Sequence, residues 1–144
     1  MKRTERLSPL VSHTNKKEQQ ALQAMATSKN ELNMELRKVE QLNAYKADYM
    51  NKQSQPNVTY SSLELREFKR FVDQLDQTIN QQGEIVKMRQ QALDHKLKIW
   101  QLTRVNLKVM HKFVDNLNKV ERLEVEKAEQ KEMDELSQQR TILK

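Results

Sequence analysis

Very few residues of this 144-residue chain have the type and spacing that chemistry needs. His13, His95 and His111 lie far apart, and no pair has the i, i+4 spacing that lets two imidazoles on one helix face hold a metal. Asp134 and Glu135 are adjacent carboxylates, but neighbours on a helix point about 100° apart and cannot serve one reacting atom as acid and base. Gly83 is the single glycine, which leaves no glycine-rich phosphate loop and no nucleophile elbow. The absence of cysteine removes thiolate ligands, thiol nucleophiles and disulfides, and fits a reducing, cytoplasmic setting. No enzyme, cofactor or metal role is expected from this set. What remains is recognition. Tyr45 and Tyr49, at i, i+4, together with Phe68 and Phe71 gather four of the six Tyr and Phe residues near one point of the chain. Amphipathic aromatics of this kind are favoured anchors for another protein.

The elements that must hold those aromatics follow from composition. Hydrophobic residues make up 36% and charged residues 32% of the chain, against roughly 45–50% apolar in an ordinary globular domain. One Gly and two Pro cannot supply the turns of a sandwich, barrel or doubly wound sheet. Long solvated helices are left. The helical pattern breaks in Asn51 to Ser62, where Pro56 and Asn57 cluster with serines. Thr59, Ser61 or Ser62 is the candidate cap of a second helix, and Ser61 stands three residues before Glu64, as in a capping box. Pro9 after Ser8 suits a first-turn position. The reading is an all-α fold: a long antiparallel two-helix coiled coil, one hairpin over residues 1–144 with helix one about 9–50, a hinge at 51–60, helix two about 61–140, and an overhanging C-terminal helix.

Helix two carries a seam through Phe68, Phe71, Leu75, Ile79, Gln82, Val86, Arg89, Leu93, Leu97 and Trp100. The mean spacing is about 3.56 residues, between a strict heptad and a straight helix. Helix one has a poorer stripe in Val11, Ala21, Met25, Leu32, Leu36, Val39, Leu42, Tyr45 and Tyr49, with Thr14, Glu18 and Ser28 in intervening seam positions. Folding back at 52–59 is expected to set Leu36 against Leu75, Leu32 against Ile79 and Met25 against Val86. Helix one would span on the order of 70 Å and helix two on the order of 120 Å. Roughly the last 35 residues would therefore overhang.

Residues 97–120 are richer in apolar side chains than one seam requires, with 12 apolar residues in 24. One stripe, Trp100, Leu107, Met110, Val114 and Leu117, can serve the hairpin. A second, Ile99, Leu102, Val109 and Phe113, calls for a partner. Beyond it, residues 121–135 turn acidic, with seven acids against three bases.

The net charge of +6 permits nucleic acid without implying it. Lys87, Arg89, Lys96, Lys98, Arg104, Lys108 and Lys112 are interleaved with large apolar residues inside the best seam, where a DNA-reading helix would be polar and unpaired. No apolar run approaches the roughly 20 residues of a membrane span, and the first residues lack the apolar stretch of a signal peptide. Two competing readings are a homodimeric coiled-coil scaffold, paired in parallel through Leu93, Leu97, Trp100, Leu107 and Val114, and a basic nucleic-acid-binding helix.

LNAYKADY at 42–49, FKRFVDQLDQTI at 68–79, Trp100 in KIW, and AEQKEMDE at 128–135 together resemble the FliJ family, coiled-coil proteins of the bacterial flagellar type III export apparatus. The resemblance spans nearly the whole chain, and it rests on the order and spacing of the four segments. It implies a hairpin like the central stalk of rotary ATPases, which docks in the export ATPase ring, promotes its assembly, links it to the transmembrane export gate and escorts export chaperones. No nucleic acid is implied, and the cytoplasmic protein would meet the inner membrane only peripherally, through its partners. Matched residue by residue, the gate-binding face falls on Leu42, Tyr45, Tyr49, Phe71 and Leu75, with Thr78 and Gln82 at positions where the family carries Ala and His. The ATPase-binding end is the one with both termini, and its candidates are Ile99, Leu102, Val109, Phe113, Lys131, Asp134 and Glu135.

Overall fold

The computed structural model describes residues 3–143, and within them two helices form an antiparallel hairpin: α1, Arg3–Gln53, and α2, Ser62–Leu143. The connection is built by the residues that break the pattern. Ser61 caps α2: its Oγ accepts the Glu64 backbone N–H at 3.2 Å, and its carbonyl accepts the Leu65 N–H at 3.1 Å. At the other side Ser54 N–H donates to the Met50 carbonyl and Ser54 Oγ to the Asn51 carbonyl, both at 3.1 Å. The Tyr60 hydroxyl donates to the Lys52 carbonyl at 3.5 Å, so a loop side chain satisfies one of the carbonyls orphaned at the end of α1. Pro56 and Asn57 lie in this turn. The hinge is thus displaced a few residues toward the C-terminus of the expected 51–60, because helix geometry persists until its last carbonyls find partners.

α1 begins earlier than expected. Pro9 lies inside the helix rather than at its first turn. Pro9 has no N–H to offer the Glu5 carbonyl, but it is exposed there, and water can take that acceptor. What holds the preceding turn is tertiary: Thr4 donates to the Glu121 carboxylate twice, from its backbone N–H at 3.4 Å and its hydroxyl at 3.1 Å. A carboxylate at a helix N-terminus also opposes the positive end of the helix dipole.

The hairpin separates into two compact units, one of residues 21–99 and one of the stretches 1–20 and 100–144. In the first, called here the tip unit, the buried residues are Leu32 at 6% exposure, Leu75 at 8% and Ser28 at 6%. Two buried leucines are a thin core, so a row of polar pairs across the helices adds to register. Lys46 pairs with Asp76, Glu35 with Gln82, and Arg89 with Glu31 at 3.1 Å. These pairs correct the expected pairing. Leu36 does not face Leu75; it is 40% exposed, and the seam position belongs to Glu35, whose partner Gln82 lies seven residues beyond Leu75. Leu32 and Met25 shift with it, away from Ile79 and Val86. A slide of about one heptad keeps seam positions facing seam positions, so periodicity alone could not exclude it.

The second, terminal unit pairs the start of α1 with α2 from Trp100. Trp100, Thr103, Leu107, Met110, Val114, Leu117 and Glu121 are half-buried and continue a 3–4 spacing. From Arg122 on, all side chains described are exposed. The unpaired part of α2 is therefore about 20 residues rather than 35, because α1 reaches back to Thr4 and pairs as far as Glu121. Its seam-phase residues, Glu124, Ala128, Lys131 and Glu135, are mostly polar and suit a helix that remains in water.

Candidate functional site

The sequence-predicted gate face falls within the tip unit. The structure brings together four aromatics there. Tyr49 stacks on Phe68 with centroids 5.1 Å apart and tilts against Phe71 at 4.6 Å. Tyr45 meets Phe71 edge-on at 6.1 Å. The two i, i+4 tyrosines differ in exposure: Tyr49 is half-buried as the centre of the cluster, while Tyr45 is 54% exposed. Leu42 is half-buried, and Leu75 supports the cluster from within the seam and offers almost no surface.

Thr78 and Gln82 have different surroundings. Thr78 is exposed, its hydroxyl donating to the Gln74 carbonyl at 3.0 Å. Gln82 is occupied, its amide donating to the Glu35 carboxylate and, at 3.2 Å, to the Glu35 backbone carbonyl. That amide is the main reason the Glu35 carboxyl sits below its ordinary pKa of 4.5; burial opposes the shift, and the Lys38 ammonium at 3.4 Å and the Arg89 guanidinium add to it. Exposed surface on this side runs along Thr78, Ile85 and Ala92, spaced by seven from the half-buried Phe71. Ile85 and the exposed Met88 were not singled out from the sequence. The signal was present as a heptad line one step off the seam, masked by the polar residues between.

The terminal unit holds the second candidate face. Trp100 is fixed from three sides: its Nε1–H donates to Glu18 Oε1 at 3.0 Å, the Thr103 hydroxyl donates to its carbonyl at 2.7 Å, and the Arg104 guanidinium lies 5.0 Å over its ring. The stripe of Trp100, Leu107, Met110, Val114 and Leu117 serves the hairpin, as expected, and the other is left uncovered: Leu102 and Val109 are each 62% exposed and Phe113 is 52%. Ile99, the last residue of the tip unit, is also exposed. The structure extends the uncovered stripe to Val105, Val120 and Leu123. The residues proposed for a homodimer seam, Leu93, Leu97, Trp100, Leu107 and Val114, are half-buried within the hairpin.

Lys131, Asp134 and Glu135 are exposed on the unpaired part of α2, and Gln130 Nε2 donates to Asp134 Oδ1 at 3.2 Å. Among the described residues no three His, Asp or Glu side chains are placed to hold a metal, and no helix is long and apolar enough to cross a membrane. The two faces differ in chemistry, one aromatic and one largely aliphatic on a basic helix.

No curated protein and no solved structure matches the chain. The family described as flagellar FliJ protein matches it over residues 1–144, and this family carries a role in flagellar export. The chain, over its whole length, belongs to the FliJ family.

Proposed function

We propose that this protein is a two-ended, non-enzymatic coupler of flagellar export: the terminal unit engages the export ATPase ring and promotes its assembly and activity, and the tip unit engages the transmembrane export gate. The observation that carries the proposal is the uncovered apolar stripe of α2. Leu102, Val109 and Phe113 expose large side chains that the hairpin leaves unpaired, as expected of a surface that is buried in a larger assembly. Ile99 joins them, and Lys131, Asp134 and Glu135 supply charged contacts to ring subunits further along the helix. Tyr45, with Tyr49 and Phe71 behind it, Leu42 and Leu75 below and Thr78 beside it, forms the gate-facing surface, with Gln82 bracing it through Glu35. Escort of export chaperones would use the same exposed faces when the ring or the gate is not bound. Attachment to the inner membrane is then peripheral, through these partners.

The test mixes the protein with the export ATPase and measures nucleotide turnover and particle size together. Stimulation with ring formation, lost on Val109→Gln with Phe113→Gln and retained by Tyr45→Ala, supports the division of ends. Equal loss of gate binding and stimulation from Tyr45→Ala refutes it.

A further inference from the structure

The uncovered stripe of α2 has an order that a greasy patch would not need. Ile99, Leu102, Asn106, Val109, Phe113, Asn116, Val120 and Leu123 follow one another at spacings of 3, 4, 3, 4, 3, 4 and 3. This is an unbroken heptad seam, with six of its eight positions apolar, and all eight are exposed. It lies about 100° around the helix from the seam that pairs with α1, so one helix carries two coiled-coil seams. A helix with one partner has no use for the second.

The charges around it define the occupant. Lys98, Lys112 and Lys119 recur at intervals of seven or fourteen beside the second seam, all exposed, with Lys108 and Arg122 one position further round. Residues 98–123 hold six Lys and Arg against two acids, and one of the acids, Glu121, is engaged with Thr4. A second copy of this face would bring lysines against lysines. The chain's own acidic stretch at 121–135 has its large apolar residues at Leu123, Val125 and Met133, without the 3–4 spacing the seam demands. Asn106 and Asn116, ten residues apart within the seam, would fix the register of whatever packs there, since a buried Asn prefers a polar group opposite.

We infer that α2 takes a third helix along residues 102–123: an amphipathic segment of a different protein, with apolar residues in a 3–4 repeat flanked by Glu and Asp. The inference rests on the reading that the outer stripe is where the terminal unit meets another component of the export apparatus, and it specifies the form of that contact.

The probes are two synthetic four-heptad peptides with the same Leu and Ile core and paired Asn residues, one flanked by Glu and the other by Lys, each titrated into the full-length protein. The Glu-flanked peptide should bind saturably, weaken with added salt, and outbind the Lys-flanked peptide on the order of tenfold or more. Val109→Gln with Phe113→Gln should abolish binding without loss of helicity, and Lys98→Gln, Lys112→Gln and Lys119→Gln together should erase the preference for the acidic peptide. Equal binding of both peptides, or binding of neither, overturns the inference. So does a dimer of the protein by sedimentation that Phe113→Gln dissociates. ATPase stimulation measured on the same variants separates the two readings. Peptide binding lost with stimulation unchanged leaves the third-helix seam standing and removes the ring; the reverse keeps the ring and removes the acidic helix.

Discussion

Trp100 and Glu18 are joined across the hairpin, the indole Nε1–H donating to Glu18 Oε1 at 3.0 Å. Each accounts for the other. An indole half-buried in a seam needs an acceptor, and a glutamate at a seam position needs a donor. The pair also selects a register, because a one-heptad slide would bring Val11 to the indole and leave its N–H unpaired. Trp100→Phe should lower stability by about 1 kcal/mol, and Glu18→Gln by less, since the amide oxygen still accepts. Urea unfolding followed by circular dichroism measures both, and an unchanged midpoint for Trp100→Phe would remove the bond from the account.

Among the described residues Leu32 and Leu75 are the two buried apolar side chains, while Leu36 sits outside the seam. Truncation to alanine should cost about 2–4 kcal/mol at Leu32 or Leu75 and under about 1 kcal/mol at Leu36. Equal losses at all three would contradict the observed register and favour the pairing of Leu36 with Leu75.

The two tyrosines of the tip should separate in the same way. Tyr49 packs against both Phe68 and Phe71, so Tyr49→Ala should destabilise the hairpin by about 2–3 kcal/mol. Among the aromatic rings Tyr45 meets Phe71 alone, edge-on, and it is more than half exposed, so Tyr45→Ala should cost under about 1 kcal/mol and act on partner binding instead. Thermal melts of both variants beside a gate-binding titration make the comparison.

Glu35 gives a pH signature. Its carboxyl is held below its ordinary value of 4.5, chiefly by the Gln82 amide, so the folded state favours the ionised form. The resulting stability is fully present above 4.5 and is lost as pH falls through the lowered folded-state value. Gln82→Ala should therefore destabilise the protein more at pH 7 than at pH 3. A difference between the two proteins that stays constant from pH 7 to 3 would show that Glu35 is not the group involved.

The side chains described from Arg122 onward are all exposed. Removing the chain after Leu123 should leave the unfolding midpoint nearly unchanged, within about 0.5 kcal/mol. It should also remove ATPase contacts that depend on Lys131, Asp134 and Glu135. A large loss of stability on truncation would mean that this segment packs back on the protein.

The sequence by itself determined the all-helical hairpin, a capped start of α2 with Thr59, Ser61 and Ser62 as candidates, the seam of α2 from Phe68 to Trp100, and which of the two stripes beyond Trp100 was left over. Each of these is local: a period, a break or a cap is written in residues a few positions apart, and helical geometry converts spacing directly into a face. The register of the two helices, the start of α1 ahead of Pro9, the length of the unpaired end and the unequal exposure of Tyr45 and Tyr49 were decided only by the tertiary structure. A heptad pattern repeats, so apolar periodicity scores a one-heptad slide as highly as the true pairing. The choice falls to a few pairs distant in sequence, Thr4 with Glu121, Glu18 with Trp100 and Glu35 with Gln82, whose donors and acceptors meet in one register and not in the next.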